Sequence, residues 1–238
     1  FSVTYGAGGS TRDLTHDSAH VLRRTSGLPI AAHLTCVGAS KAETLEVANS
    51  FAEIGVTDIV ALRGDPENGA SVFTPHPDGF ADSCELIEAL AATGKFTLRV
   101  GAYPEPHPES RDQAQNVEWL KRKFDAGADE AITQFFFETE TFLRFRDACA
   151  AAGITKPITP GIMPVTNWKS ARNFATRCGA LVPTWLDEAY NAAIRDDRHD
   201  LLSTALCSEM CKNQQVSPAH ICRRFYICHA LPMVPKIC

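Results

Sequence analysis

Short β-rich runs alternate along the chain with stretches whose apolar positions recur at helical spacing. The runs are SVTYG (2–6), IAAHLTC (30–36), DIVALRGD (58–65), TLRVGAYPE (97–105), AITQFFF (131–137) and ITPGIMPV (158–165). This is the pattern of parallel βα units. The helical signal is clearest between the second and third runs. There Ser40 and Glu43 have capping-box spacing, Val47, Phe51 and Ile54 follow on one face, and Gly55 stands at the C-cap. Ala114, Val117, Leu120 and Phe124 form a second stripe before Gly127, and Phe142, Phe145 and Cys149 a third before Gly153. No Pro, Gly or Ser-rich linker and no 20 to 50-residue repeat interrupts the series, so residues 1–238 read as one domain.

Alternating strands and helices fit both a doubly wound sheet and a (β/α)8 TIM barrel, and the polar residues decide between them. Thr4 and Tyr5, His33 and Thr35, Arg63 and Asp65, Tyr103 and Glu105, and Gln134 lie at or past the C-terminal halves of successive runs. In a barrel these positions converge on one mouth, whereas a doubly wound sheet needs them only beside its switch point. The barrel is the expected fold. The glycines of YGAGGS miss the G-x-G-x-x-G spacing of a dinucleotide fold.

Composition narrows the function classes. The chain has 238 residues, 45% of them hydrophobic and 21% charged, and no apolar run long enough to span a bilayer. A net charge of −5 with signs interspersed argues against a nucleic-acid partner and for a small molecule. Nine cysteines without regular spacing and no charged leader followed by an apolar run point to a reducing cytoplasm. The chain opens directly on a strand without Met, which suggests that residues preceded it.

ITQFFF places one amide inside an apolar strand. A buried amide must find partners or cost stability, so Gln134 is either a satisfied core group or a ligand contact. Phe135, Phe136 and Phe137 alternate about the strand and read mostly as core. The other polar residues also carry two readings. His33 is a core histidine or a ligand contact, Asp65 before Pro66 a turn aspartate or an electrostatic group, and LKRK a solvated helix face or a phosphate site.

Taken together, SVTYG, HLTC, ALRGD, AYPE-x-HPE, LKRK-x-DAGA, AITQFFF and PGIMPV resemble, in order and spacing, the bacterial single-domain methylenetetrahydrofolate reductases over about residues 1 to 210. The resemblance implies a (β/α)8 barrel that binds FAD at its mouth. It also implies hydride transfer from NADH or NADPH to 5,10-methylenetetrahydrofolate, yielding 5-methyltetrahydrofolate. It places Thr4, His33, Arg63, Gly64, Asp65, Tyr103, His107, Arg122 and Lys123 around the flavin, with Arg122 and Lys123 facing the phosphates. Gln134 and Phe174 become substrate contacts: the amide meets the pterin edge, and the ring packs on folate or nicotinamide. Asp65 becomes the catalytic carboxylate that stabilises the iminium cation formed on ring opening. A methyltetrahydrofolate-using barrel methyltransferase shares the substrate but needs no flavin set.

Two departures from the family pattern temper this picture. The family's first strand carries a glutamate general acid in a motif like S-F-E-F-F-P-P, and this chain starts after it; such an acid commonly supplies a factor of about 10² to 10⁴. Near the end FY joins ICHAL directly, so either the end of the eighth strand and the start of its helix are missing or the tail has diverged, and the family's substrate-binding arginine has no secure counterpart here. The expectation is therefore a barrel incomplete at its first and last strands, associating into a homo-oligomer through open edges, binding FAD weakly through Arg122, Lys123 and His107 and showing little or no folate reductase activity. Cys207, Cys211, His220, Cys222, Cys228 and His229 allow a rival zinc reading, although no C-x-x-C occurs and Cys207 and Cys211 have helical spacing.

Overall fold

The computed structural model describes residues 1–4, 12–66, 73–215 and 226–227. They fall into two compact units, 1–101 with 122–130 and 102–121 with 131–215 and 226–227. Tyr5 and the tail residues His220, Cys222, Cys228 and His229 lie outside the described residues.

In the first unit β1 (Ser2–Val3), α1 (Arg12–Ser26), β2 (Ala31–Thr35), α2 (Lys41–Glu53), β3 (Asp58–Leu62), α3 (Ser83–Ala92) and β4 (Thr97–Ala102) follow in order. All pairings are parallel: Ser2 opposes Ala31, Ala31 to Thr35 oppose Asp58 to Leu62, and Asp58 to Ala61 oppose Thr97 to Val100. Ala32, Leu34, Ile59, Val60, Ala61, Leu98 and Val100 are buried from both faces, as crossover helices on a parallel sheet require. Phe51 of α2 and Leu86, Ile87 and Leu90 of α3 cover them. The capping box forms as its spacing indicates. The Ser40 side chain accepts from the Glu43 N–H at 3.3 Å, and the Glu43 carboxylate accepts from the Ser40 N–H at 2.8 Å. Gly55 has φ +78°, which favours glycine at this helix end.

α4 (Gln113–Asp125) bridges the two residue ranges, and β5 (Glu130–Phe135) begins at their junction. The second unit continues with α5 (Thr139–Ala151), β6 (Ile158–Ile162), α6 (Trp168–Arg177), α7 (Thr184–Arg195), α8 (His199–Gln215) and β7 (Tyr226–Ile227). β6 pairs in parallel with β5 and with β7. Phe135 and Phe136 are buried, and Phe136 stacks on Phe142 with ring centres 5.5 Å apart, as the core reading of ITQFFF anticipates. Phe135, Met163, Val165, Trp168, Leu186 and Tyr190 form the other core cluster. Cys207 and Cys211 sit one turn apart on α8, with Cys207 Sγ 4.0 Å from the Met163 carbonyl.

The described strands thus form a parallel α/β fold, seven in number where the sequence pattern marks six. The seventh is the two-residue β7 in the divergent tail. α1, α3, α6 and α7 are further additions to the helices that the periodicity identifies.

β5 and β6 lose regular register between Ile132 and Phe135. There the Thr133 hydroxyl accepts from the Gly161 N–H at 2.9 Å, and a Cβ on Gly161 would collide with the Thr133 carbonyl oxygen. Gly161→Ala is therefore expected to cost about 1 to 3 kcal/mol, measured as a lower denaturant midpoint at unchanged slope.

Candidate functional site

The C-terminal ends of β2, β3 and β4 gather the polar residues of the first unit. His33 lies mid-strand in β2, with its Nε2 buried and without a hydrogen-bond partner among the described residues. Burial lowers its pKa to about 4, so the ring is neutral at ordinary pH. A core histidine with satisfied bonds does not fit this environment. Thr35 ends β2, and its hydroxyl is likewise buried and unpartnered among the described residues. Past the strand end, Cys36 Sγ donates to the Arg63 carbonyl at 3.4 Å.

After β3 the chain turns at Gly64, whose φ of +92° favours glycine and whose added Cβ would stand 3.1 Å from Thr35 Cβ and closer still to Val37. Arg63 Nε donates to the Gly64 carbonyl at 3.4 Å, and its guanidinium lies 4.7 Å from the Phe73 ring centre. Asp65 follows, exposed to solvent. Thr4 is also exposed, and its carbonyl accepts from the Thr15 hydroxyl at 3.0 Å.

Two cations arrive from the last turn of α4. Lys123 Nζ donates to the Gly101 carbonyl at 2.8 Å, at the end of β4. Burial lowers the Lys123 pKa to about 8, with Arg63 also lowering it while Cys84 and Asp82 work in the other direction. Arg122 is exposed and lies 3.8 Å from Asp82. Asp82 caps α3 by accepting from the Cys84 N–H at 2.7 Å and the Glu85 N–H at 3.1 Å. The unit thus carries both a set of cations, Arg63, Arg122 and Lys123, and, on β2, a neutral imidazole and a hydroxyl. Sequence reasoning assigned neither Thr35 nor Asp82 to a site, although the Asp82-x-x-Glu85 spacing signals a helix start.

The second unit holds the remaining candidates. Tyr103 and His107 meet edge to face, 4.6 Å between ring centres. Their loop is held from α4, since Gln113 Nε2 donates to the Tyr103 carbonyl at 2.9 Å and Asn116 Nδ2 to the Glu105 carbonyl at 3.0 Å. Asn116 is a further residue that periodicity does not reveal. The Glu105 carboxylate accepts from the Leu181 N–H at 3.1 and 3.2 Å, and burial raises its pKa. On β5, Gln134 Oε1 accepts from the Phe135 N–H at 3.1 Å, which satisfies one end of the amide. Phe174 of α6 stacks on Phe135, 5.3 Å between centres at 22°, and the Arg177 guanidinium lies 5.8 Å from its ring centre. Arg63, Gly64, His33 and Lys123 are therefore grouped in one unit, and Tyr103 with His107 in the other.

The family model for methylenetetrahydrofolate reductase matches residues 1–223. The chain belongs to the methylenetetrahydrofolate reductase family. It is 38% identical to the 5,10-methylenetetrahydrofolate reductase of Pectobacterium carotovorum subsp. carotovorum over 99% of this chain and 80% of that protein. Against the enzyme of the same name from Escherichia coli K12 it is 37% identical over 99% of this chain and 81% of the relative. Among solved structures, a Clostridium thermocellum protein that binds two copies of 5-methyl-5,6,7,8-tetrahydrofolic acid superposes at a TM-score of 0.55. It is 14% identical and covers 96% of this chain and 88% of its own, a likeness of fold. Oxaloacetate acetylhydrolase superposes at 0.51 with 14% identity, over 91% of this chain and 86% of its own.

In this member of the methylenetetrahydrofolate reductase family, Lys123 predicts a specific pH dependence. The unfolded chain keeps the lysine proton up to about 10.5 and the folded chain only to about 8. Between those values unfolding takes up a proton, so this group's contribution to stability rises with pH. Lys123→Met is expected to remove that rise, measured by denaturant unfolding of both proteins at pH 7 and pH 10. A wild-type rise that survives intact in the variant would exclude Lys123 as its source.

Proposed function

We propose that the chain is an FAD-dependent methylenetetrahydrofolate reductase, using NADH or NADPH to convert 5,10-methylenetetrahydrofolate to 5-methyltetrahydrofolate. We further propose a single cytoplasmic (β/α)8 barrel domain, incomplete at its first and last strands, that assembles into a homo-oligomer. The observation that carries the cofactor reading is the grouping of Arg63, Arg122 and Lys123 around strand ends where His33 and Thr35 keep unpartnered buried polar atoms. Cations suit a pyrophosphate, and neutral donors and acceptors suit a polar ring edge. A methyltransferase acting on methyltetrahydrofolate would need no such phosphate set.

Bound FAD would supply hydride acceptance from the nicotinamide and delivery to the folate. The chain's residues then divide the work of holding these molecules. Arg122 and Lys123 oppose the phosphate charge, with Arg63 adding a third cation. Gly64 lets the backbone turn where a Cβ would collide with Val37 and Thr35. His33 remains neutral and offers a ring nitrogen, while Tyr103 and His107 present an aromatic wall, and Thr4 adds a short polar group. Gln134 offers the pterin both an acceptor and a donor, and Phe174 supplies a flat apolar face already stacked on Phe135. Asp65 remains a carboxylate open to solvent, suited to stabilise the positive charge that develops as the folate ring opens.

Titrating the purified protein with FAD is expected to give a bound yellow species that NADH or NADPH bleaches. A protein left colourless by excess FAD would overturn the assignment. In a chain that carries the family's first-strand glutamate, Asp65→Asn is expected to slow folate reduction by about 10²-fold or more while slowing flavin reduction far less, since only the folate step passes through a cation. Stopped-flow timing of the two half-reactions separates the cases, and equal losses would reduce Asp65 to a loop or flavin-tuning role.

A further inference from the structure

We infer that Thr35 is a cofactor-contacting residue, its hydroxyl hydrogen-bonding the neutral edge of the flavin ring beside His33. The inference rests on the FAD reading above and adds a binding residue to it. His33 Nε2 and Thr35 Oγ1 are the buried side-chain polar atoms that lack a partner among the described residues, and both come from β2. Residues two apart in a strand share a face, so the two orphaned groups stand in one row about 6 to 7 Å apart along the strand. Leu34 between them is buried on the other face. A buried group without a partner costs stability, and two in a row point to an occupant that satisfies both.

The chemistry of the row defines that occupant. Burial keeps the imidazole neutral, and a hydroxyl both donates and accepts, so the matching ligand edge alternates carbonyl oxygens and ring nitrogens and carries no full charge. The cations lie elsewhere, at Arg63 and on α4. Gly64 closes the row. Its Cα approaches so near that an added Cβ would stand 3.1 Å from Thr35 Cβ, which holds the hydroxyl-bearing carbon against the turn that carries Arg63 and Asp65. Thr35 is therefore fixed where the ring edge would meet that turn.

Thr35→Val keeps the shape and removes the hydroxyl, which separates two effects. The apo variant is expected to melt at a higher temperature than wild type, because an unpartnered buried hydroxyl is gone. The same variant should bind FAD about fivefold to tenfold more weakly and shift the visible spectrum of what it binds. Thr35→Ser restores a hydroxyl and should recover both affinity and spectrum. Wild-type affinity and an unchanged spectrum in Thr35→Val would overturn the inference, as would a variant whose apo form melts lower while FAD binding is untouched. That second outcome marks a hydroxyl satisfied inside the protein. If wild type itself fails to bind FAD, the cofactor reading falls first, an outcome distinct from failure of the Thr35 contact alone.

Discussion

Arg99 holds the first unit in register. It sits in β4 opposite Val60, and its guanidinium reaches Asp58 at the start of β3 and Glu130 at the start of β5, the latter at 3.0 Å. All three side chains are largely withdrawn from solvent. Burial alone disfavours the guanidinium charge, but the hydrogen bonds and charges of Asp58 and Glu130 outweigh it, and the pKa of Arg99 rises above its ordinary value. Removing one member of such a cluster leaves an uncompensated buried charge, which costs about 3 to 5 kcal/mol. The cluster therefore adds a specific penalty for a slipped register to the one set by apolar packing of the Val, Ile and Ala side chains. A one-residue slip would also turn every side chain of the slipped strand to the opposite face.

The functional end of the sheet depends on the same segment of chain. Residues 122–130 grip β4 at several points: Lys123 donates to the Gly101 carbonyl, the Asp129 carboxylate accepts from the Leu98 N–H at 2.8 Å, and Glu130 binds Arg99. This is why these nine residues group with the first unit although the rest of α4 does not. Lys123 owes its place at the strand end to this grip, and its lowered pKa follows from being drawn inward. One short segment thus sets both the register of β4 and the position of a site cation.

Much of this was legible in the sequence where local rules act alone. The Ser40–Glu43 box and the glycine ends at Gly55, Gly127 and Gly153 need only neighbours in the chain, and all three glycines take positive φ. α1 escaped because its pattern is inverted. Thr15 and Ala19 are its buried positions, while Leu14 and Val21 are 66% and 55% exposed, so its apolar residues do not mark the buried face. α7 buries Leu186 and Tyr190 but leaves Trp185 and Ile194 exposed, which blurs its stripe in the same way. Among candidate site residues, motif resemblance names His33, Arg63 and Lys123, whereas Asp82 and Asn116 go unmarked and strand position alone puts Thr35 near the mouth without a role. Their roles arise from capping, a loop held across ten or more residues, and an unsatisfied hydroxyl. The first has a weak local signal, and the other two become visible only when the partners, or their absence, can be located in space.

The two ends of the first unit's sheet treat their polar groups in opposite ways. At the N-terminal end, Arg99 finds two carboxylates, and the backbone of Leu98 meets the Asp129 side chain, so polar groups there are matched within the protein. In the C-terminal half of β2, which lies two strands from β4, His33 Nε2 and Thr35 Oγ1 are buried without partners among the described residues. Leaving two such groups unmet lowers stability, and a sheet whose register rested only on apolar packing could relax to satisfy them. The charged cluster fixes β3 and β4, and β3 pairs with β2 from Ala31 to Thr35, so such relaxation would have to break that pairing as well. Strand register and the placing of these groups are therefore one constraint: β3 and β4 are locked where polar groups are paired, and β2, paired to β3, holds His33 and Thr35 on one face.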